Sequence, residues 1–296
     1  MTQTFPDGGA FRFEIPSVEG PKPLEAVLSA ANTYGVPLHR VSQGSGDAML
    51  DDHHITDMVS ICREAAVELC LFLGPRGNWD IGGSAFRPGS VPPLNVSGKS
   101  HLQFSIDDAL RAIELGVPCL LVGDTGVLWT LHEMRVRGEI PPDIRLKVSA
   151  LAGPSNPASV SVMEKLGADS INVPGGLTVD QLAELRAASG AAFDIYLESP
   201  ANLGGFVRVH EAADIVRRVG PVYLKFGLRN APDIYPVGLH LAGPAVTLAE
   251  ERVRRAHLVL EALTRAGLRD RMSRAGSQSM PKPKRFDATS PTQHVA

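Results

Sequence analysis

The chain has 296 residues, 44% of them hydrophobic and 21% charged, with 29 Lys and Arg against 32 Asp and Glu for a formal net charge of −3. This is globular composition, which excludes global disorder, and the near-neutral balance argues against a protein built around a nucleic-acid backbone. No apolar run approaches the ~18 residues of a membrane span.

The first ten residues are polar, with no basic n-region and no apolar h-region, so no secretory signal is expected and the reading is cytoplasmic. The cysteines are Cys62, Cys70 and Cys119. An odd, sparse set without C-x-x-C spacing predicts buried thiols, with no disulfide framework, structural zinc or iron–sulfur cluster.

In chain order, short apolar strands are expected at Phe11–Pro16, Leu38–Ser42, Glu68–Leu73, Pro118–Gly123, Arg145–Ala150, Ser170–Pro174, Ala192–Glu198 and Val222–Gly227. Helical patterns lie between and after them, at Pro23–Tyr34, Asp52–Ala66, Ser105–Leu115, Val127–Arg137, Pro157–Leu166, Thr178–Ser189, Val209–Val219 and Leu248–Ala266. A helix ending in Gly and running straight into an apolar strand recurs, as in Tyr34-Gly35-Val36 and Leu115-Gly116-Val117. Eight β-then-α units predict an α/β fold, a single (β/α)8 TIM barrel. A doubly wound sheet would want G-x-G-x-x-G after the first strand, and Ser17-Val18-Glu19-Gly20-Pro21 is not one.

The barrel domain is expected over 1–270 and a disordered tail over 271–296, where the sequence turns polar and loses periodicity. Gly74–Phe104, after the third strand, reads as a long Gly- and Pro-rich loop over the C-terminal face. Leu228–Val246 reads as a second long loop.

Barrel strands alternate between the interior and an apolar helix layer, so polar strand residues are expected to face the axis. These are Glu14; Arg40 and Ser42; Arg145, Lys147 and Ser149; Ser170 and Asn172; Asp194, Tyr196 and Glu198; and Tyr223 and Lys225. Depth along the strand separates roles. Glu14, Lys147, Glu198 and Lys225 are the candidate catalytic set, because paired Lys and carboxylate groups in a dry pocket suit acid–base or Schiff-base chemistry. Asp194 reads as deep and structural, and Arg145 as a structural partner at the closed end. Candidate substrate-binding residues are Arg40, Gln43, Arg76, Asn172, Tyr196, Arg229 and Asn230. Within this set, Gln43-Gly44-Ser45-Gly46 offers a backbone anion nest, and Arg229 with Gly204-Gly205 offers an anion site near the mouth.

No metal motif is present, and no metal ligand is assigned. Asp124 with Glu14 and Glu198 is the one set that could hold a divalent ion. Adjacent His53 and His54 diverge on a helix, Ser97-Gly98-Lys99-Ser100 lacks the leading Gly of a P-loop, and no G-x-S-x-G elbow occurs.

Pro16-Ser17-Val18-Glu19-Gly20 before Leu24–Ala31, then Leu166–Gly175, and the stretches Gly204–Arg208 and Lys225–Pro236 resemble the collagenase-like peptidase family. The resemblance covers residues 11–266 and implies a barrel with hydrolase activity. Many family members add a four-cysteine cluster for iron–sulfur ligation, which this chain lacks, so that cofactor is not carried over.

The expectation is therefore a barrel enzyme acting at its C-terminal mouth on a small polar, anionic molecule or short peptide. Peptidase-like hydrolysis is implied by the resemblance. Interior Lys and Glu chemistry suits a carbon–carbon lyase, aldolase or isomerase, and a catalytically silent ligand-binding barrel is the third reading. No cofactor, nucleic acid or membrane partner is expected, and a homo-oligomer is compatible with the sequence.

Overall fold

The computed structural model describes residues 3–74, 96–283 and 285. Eight parallel strands close into one barrel in sequence order. They are β1 (Phe11–Pro16), β2 (Arg40–Ser42), β3 (Glu68–Phe72), β4 (Cys119–Val122), β5 (Arg145–Val148), β6 (Ser170–Asn172), β7 (Ala192–Glu198) and β8 (Val222–Phe226). The helices are α1 (Pro21–Tyr34), α2 (Asp52–Glu64), α3 (Gly98–Glu114), α4 (Thr125–Val136), α5 (Pro157–Lys165), α6 (Val179–Ala188), α7 (Ala212–Val219) and α8 (Ala242–Arg265).

Local chemistry sets the helix ends. Asp51 and Asp124 cap α2 and α4 through backbone N–H groups of His54 and Val127. Asn156 and Thr178 open α5 and α6 with capping boxes closed by Ser159 and Gln181. Gly35 ends α1 at φ 61°, a left-handed turn that a Cβ would strain.

The outward strand residues join the helices in one apolar core; Phe13, Val41, Leu71, Leu120, Leu146, Ile171, Ile195 and Leu224 all belong to it. The inward parity carries the charges. Arg12, Glu14, Arg40, Glu68, Lys147, Asp194 and Lys225 are each at most 1% exposed. The alternation expected of the strands is present.

Most boundaries fall within three residues of the sequence reading, and three differences are larger. Helix α3 starts at Gly98 rather than Ser105, so the end of the expected Gly74–Phe104 loop is helical. Helix α8 starts at Ala242, six residues before the expected Leu248, which shortens the second loop. The third difference concerns the expected tail. Residues 272–280 lie across the N-terminal end of the barrel. Met272 bridges to Phe11, Arg12 donates to the Ser273 hydroxyl (3.0 Å) and the Ser279 carbonyl (2.9 Å), and Met280 packs with Phe5, Ala192 and Tyr223. Polar composition hid this, because the segment contributes backbone groups, the Ser273 hydroxyl and two methionines, Met272 and Met280, to a plug that Arg12 organises. No helix among the described residues is long and apolar enough to cross a membrane.

Candidate active site

The register brings Glu14 beside Arg40 on one side and Lys225 on the other. Lys147 reaches across the barrel to both Glu14 oxygens at 2.6 and 2.5 Å. The Ser42 hydroxyl donates to Glu14 Oε1 (2.6 Å), Arg40 Nη1 lies 3.3 Å from Oε2, and Lys225 Nζ lies 3.3 Å from Oε1. Asp194 Oδ1 takes Arg40 at 2.9 Å and Lys147 at 3.1 Å. Burial alone would raise the Glu14 carboxyl, but Lys147, Lys225 and Arg40 hold it well below the usual range. Asp194 goes the other way: burial and the Glu14 charge raise it against Lys147 and Arg40, and no donor among the described residues reaches its Oδ2. The cations thus favour ionised Glu14, while burial and the Glu14 charge shift Asp194 toward its neutral form.

Lys225 is the distinctive group. Burial, opposed by Glu14 and reinforced by the Lys147 charge, lowers its ammonium to about 8. The Asn172 amide accepts from Lys225 Nζ at 3.0 Å while donating to the Asp194 carbonyl at 3.1 Å. The Tyr196 ring lies 4.4 Å from the same nitrogen, and burial pushes its phenol above the ordinary tyrosine value, so it stays neutral. Lys147, held by Asp194 and Glu14 against burial, moves upward instead and stays charged.

Beneath this cluster, Glu68 pairs with both Arg40 and Arg145. Those two arginines overcome its burial and hold its carboxyl below the ordinary glutamate range. Cys70 and Cys119 face each other with sulfurs 3.1 Å apart, and burial holds the Cys119 thiol well above its ordinary value, which makes it unreactive. All three cysteines are free and buried.

The structure thus brings together Glu14, Lys147, Lys225, Arg40, Asn172 and Tyr196 of the predicted residues. It does not bring Glu198 to them. A register irregularity between Tyr196 and Glu198 advances β7 by two residues against one on β8. Such a bulge reverses which way the following side chain faces. Glu198 instead meets Arg255 of α8 at 3.2 Å and accepts the Arg229 backbone N–H at 2.9 Å.

Gln43 is also otherwise engaged: its amide donates to the Gly46 carbonyl (2.9 Å) and accepts the Gly46 N–H (3.1 Å), closing its own turn. The expected anion nest is filled from within. Glu19 accepts the N–H groups of Gly44 and Ser45 at 2.8 and 3.0 Å, and Tyr235 packs so close to Gly44 that an added Cβ would lie 2.7 Å from its hydroxyl. Arg229 and Asn230 are exposed on the loop after β8, with Arg229 Nε bonded to the Gly205 carbonyl. Arg76 lies outside the described residues.

Asp124, the third member of the conceivable ion set, spends its carboxylate on the Val127 N–H (2.9 Å) and the Val96 N–H (3.2 Å). Among the described residues no three His, Cys, Asp or Glu side chains come together as a metal-ligand set. Sequence reasoning missed Arg12 and Glu68. Both share the inward parity, two residues before Glu14 and Cys70, so the alternation alone could have found them. It also underrated Asp194, which is deep yet touches the catalytic candidates.

No family model and no curated protein matches the chain. Solved structures do. A fructose-1,6-biphosphate aldolase candidate from Coccidioides immitis is 12% identical with TM-score 0.51, covering 87% of this chain and 93% of its own. The YdjI aldolase from Escherichia coli K12 is 14% identical with TM-score 0.49, covering 86% and 90%. The U32 peptidase Mk0906 is 15% identical with TM-score 0.44, covering 75% and 96%. At such identities the likeness is one of fold, and the chain is similar in architecture to (β/α)8 barrels of differing chemistry.

Proposed function

We propose that the protein is a barrel enzyme of the lyase or aldolase class, acting on a small polar, anionic carbonyl compound through an imine at Lys225. The carrying observation is the Lys225 amine: buried, lowered to about 8, and set between the Glu14 carboxylate and the Asn172 amide. A neutral amine is the nucleophile this chemistry needs, and a desolvated lysine beside a second cation is the usual way to obtain one near neutral pH.

The steps follow from the neighbours. Lys225 Nζ attacks the substrate carbonyl carbon and forms an N–C bond. Glu14 takes the proton this nitrogen releases and passes it to the oxygen, and a second proton, from the Asp194 carboxyl, lets that oxygen depart as water. The resulting protonated imine withdraws electrons from the adjacent carbon and so permits C–C cleavage or proton loss there. Lys147 stays charged and keeps Glu14 ionised. Arg229, exposed beside the mouth with its Nε bonded to the Gly205 carbonyl, is the candidate holder of the substrate's anionic group.

The test is reductive trapping. Borohydride is added to the protein with a panel of 2-oxo acids and phosphorylated ketoses, and the adduct is mapped by peptide mass. An adduct on Lys225, absent from Lys225→Met, supports the reading. Peptide cleavage that survives Lys225→Met, with no adduct on any lysine, overturns it in favour of hydrolysis.

A further inference from the structure

The N-terminal end of the barrel, opposite Lys225, carries a cavity of about 620 Å³ between the end of α4, the start of β5, the entry to β6 and the side chains of Met280, Lys282 and Arg285. Its charge is lopsided. Arg135, Arg145, Lys282 and Arg285 line it against Asp143 and Asp169. Asp169 already serves two of the arginines: Arg135 at 2.7 Å and Arg285 on its other oxygen. Arg145 shares Glu68 with Arg40, so that carboxylate is also oversubscribed.

Arg135 is fully employed. Besides Asp169 it bonds the carbonyls of Ile144 (2.7 Å) and Gly167 (2.8 Å), and it lies 3.2 Å from His132 Nδ1. Arg285 is not: its Nη1 is buried with no acceptor among the described residues. A buried guanidinium nitrogen without an acceptor is costly and calls for one. His132, beside the same arginines, has its imidazole lowered to about 4, first by burial and then by the Arg135 and Arg285 charges.

We propose that this cavity is a second binding site, taking a small phosphate-class dianion at the opposite end of the barrel from Lys225. The free Arg285 Nη1, the outer face of Arg145 (21% side-chain exposure) and the exposed Lys282 supply the donors. Arginine forks suit phosphate oxygens, and the volume admits a phosphate ester as well as the free ion. The bound dianion would tie Lys282 and Arg285 to β5 and stiffen the plug under the barrel. This proposal does not depend on the imine reading, since the two sites share no residue.

The experiment is calorimetric titration of the full chain with inorganic phosphate, glycerol 3-phosphate and citrate at matched ionic strength. One saturable phosphate or phosphate-ester site is expected, and the tighter of the two ligands identifies the source. Binding should weaken about tenfold or more in Arg285→Gln and measurably in Lys282→Ala, and be unchanged in Lys225→Met. Lys282 is exposed, so its variant decides the matter should Arg285→Gln fail to fold. No saturable binding, equal binding of citrate, or loss in Lys225→Met with retention in Lys282→Ala would overturn the proposal.

Discussion

Lys225 Nζ stands 3.3 Å from Glu14 Oε1. The same carboxylate holds Lys147 at 2.5 to 2.6 Å. Two lysines compete for one carboxylate, and the more distant one loses: Lys147 shifts up and Lys225 shifts down. The barrel interior thereby separates a permanently charged lysine from one that can lose its proton near neutrality.

That division predicts unequal costs of substitution. Lys147→Met strands Glu14 with a longer-range partner and should cost about 3–5 kcal/mol, the usual result of breaking a buried pair. Lys225→Met removes an ammonium that burial already disfavours, so its loss should be clearly smaller. Urea unfolding at pH 7 measures both. Equal losses, or the reverse order, would contradict the assignment.

Lys225 also fixes a pH dependence. Its folded value is about 8, and an ordinary lysine is near 10.4. Between these the unfolded chain binds more protons, so stability rises with pH across that window. The gain approaches ~3 kcal/mol, from about 2.4 units at 1.36 kcal/mol each. The difference in unfolding free energy between wild type and Lys225→Met should therefore shift in favour of wild type from pH 7.5 to 10. A flat difference would show that the lysine is not depressed.

At the other end, His39 couples acidity to the plug. Its Nδ1 accepts the Phe13 N–H at 3.2 Å, which leaves Nε2–H to donate to the Ser273 carbonyl at 3.1 Å. Burial lowers it to about 4. The unfolded chain binds more protons between pH 4 and about 6.5, so stability falls as pH drops through that range. Protection of the amides at residues 273–280, corrected for the intrinsic pH dependence of exchange, should fall from pH 7 to 4.5 more in wild type than in His39→Gln, which cannot titrate.

Much of this was legible in the sequence. The alternation of Phe13-Glu14-Ile15 and Leu146-Lys147-Val148 states that a charged residue lies among apolar neighbours, and a closed parallel barrel has only its axis to receive it. What parity could not supply was the bulge after Tyr196, because an extra residue in β7 depends on its pairing with β8 and not on its own composition. Glu198 was misplaced for that reason. The Gln43–Gly46 turn was read correctly as a source of N–H groups. Its occupant, Glu19, lies on another strand's loop, 25 residues away from Gly44. The plug was invisible because it is held by scattered long-range contacts, from Arg12 and His39 to Ser273 and Ser279 and from the Ser273 N–H to the Phe11 carbonyl, that no local pattern announces.

The Glu19 contact is itself testable. Glu19→Ala should orphan the Gly44 and Ser45 N–H groups and cost about 1–3 kcal/mol. Added formate or acetate should restore part of that stability by occupying the vacated nest, whereas chloride at the same ionic strength should restore less. Stability unaffected by both the substitution and the carboxylates would show that the carboxylate is not structural.

The most direct measurement of the central claim is the titration of the two interior lysines, followed by NMR at their labelled ε positions in the intact protein and assigned with Lys147→Met and Lys225→Met. Lys225 should titrate near 8 and Lys147 should remain charged throughout the stable pH range. A Lys225 that stays protonated past its ordinary value of about 10.4, with or without a titrating Lys147, would remove the neutral amine on which the proposed chemistry rests.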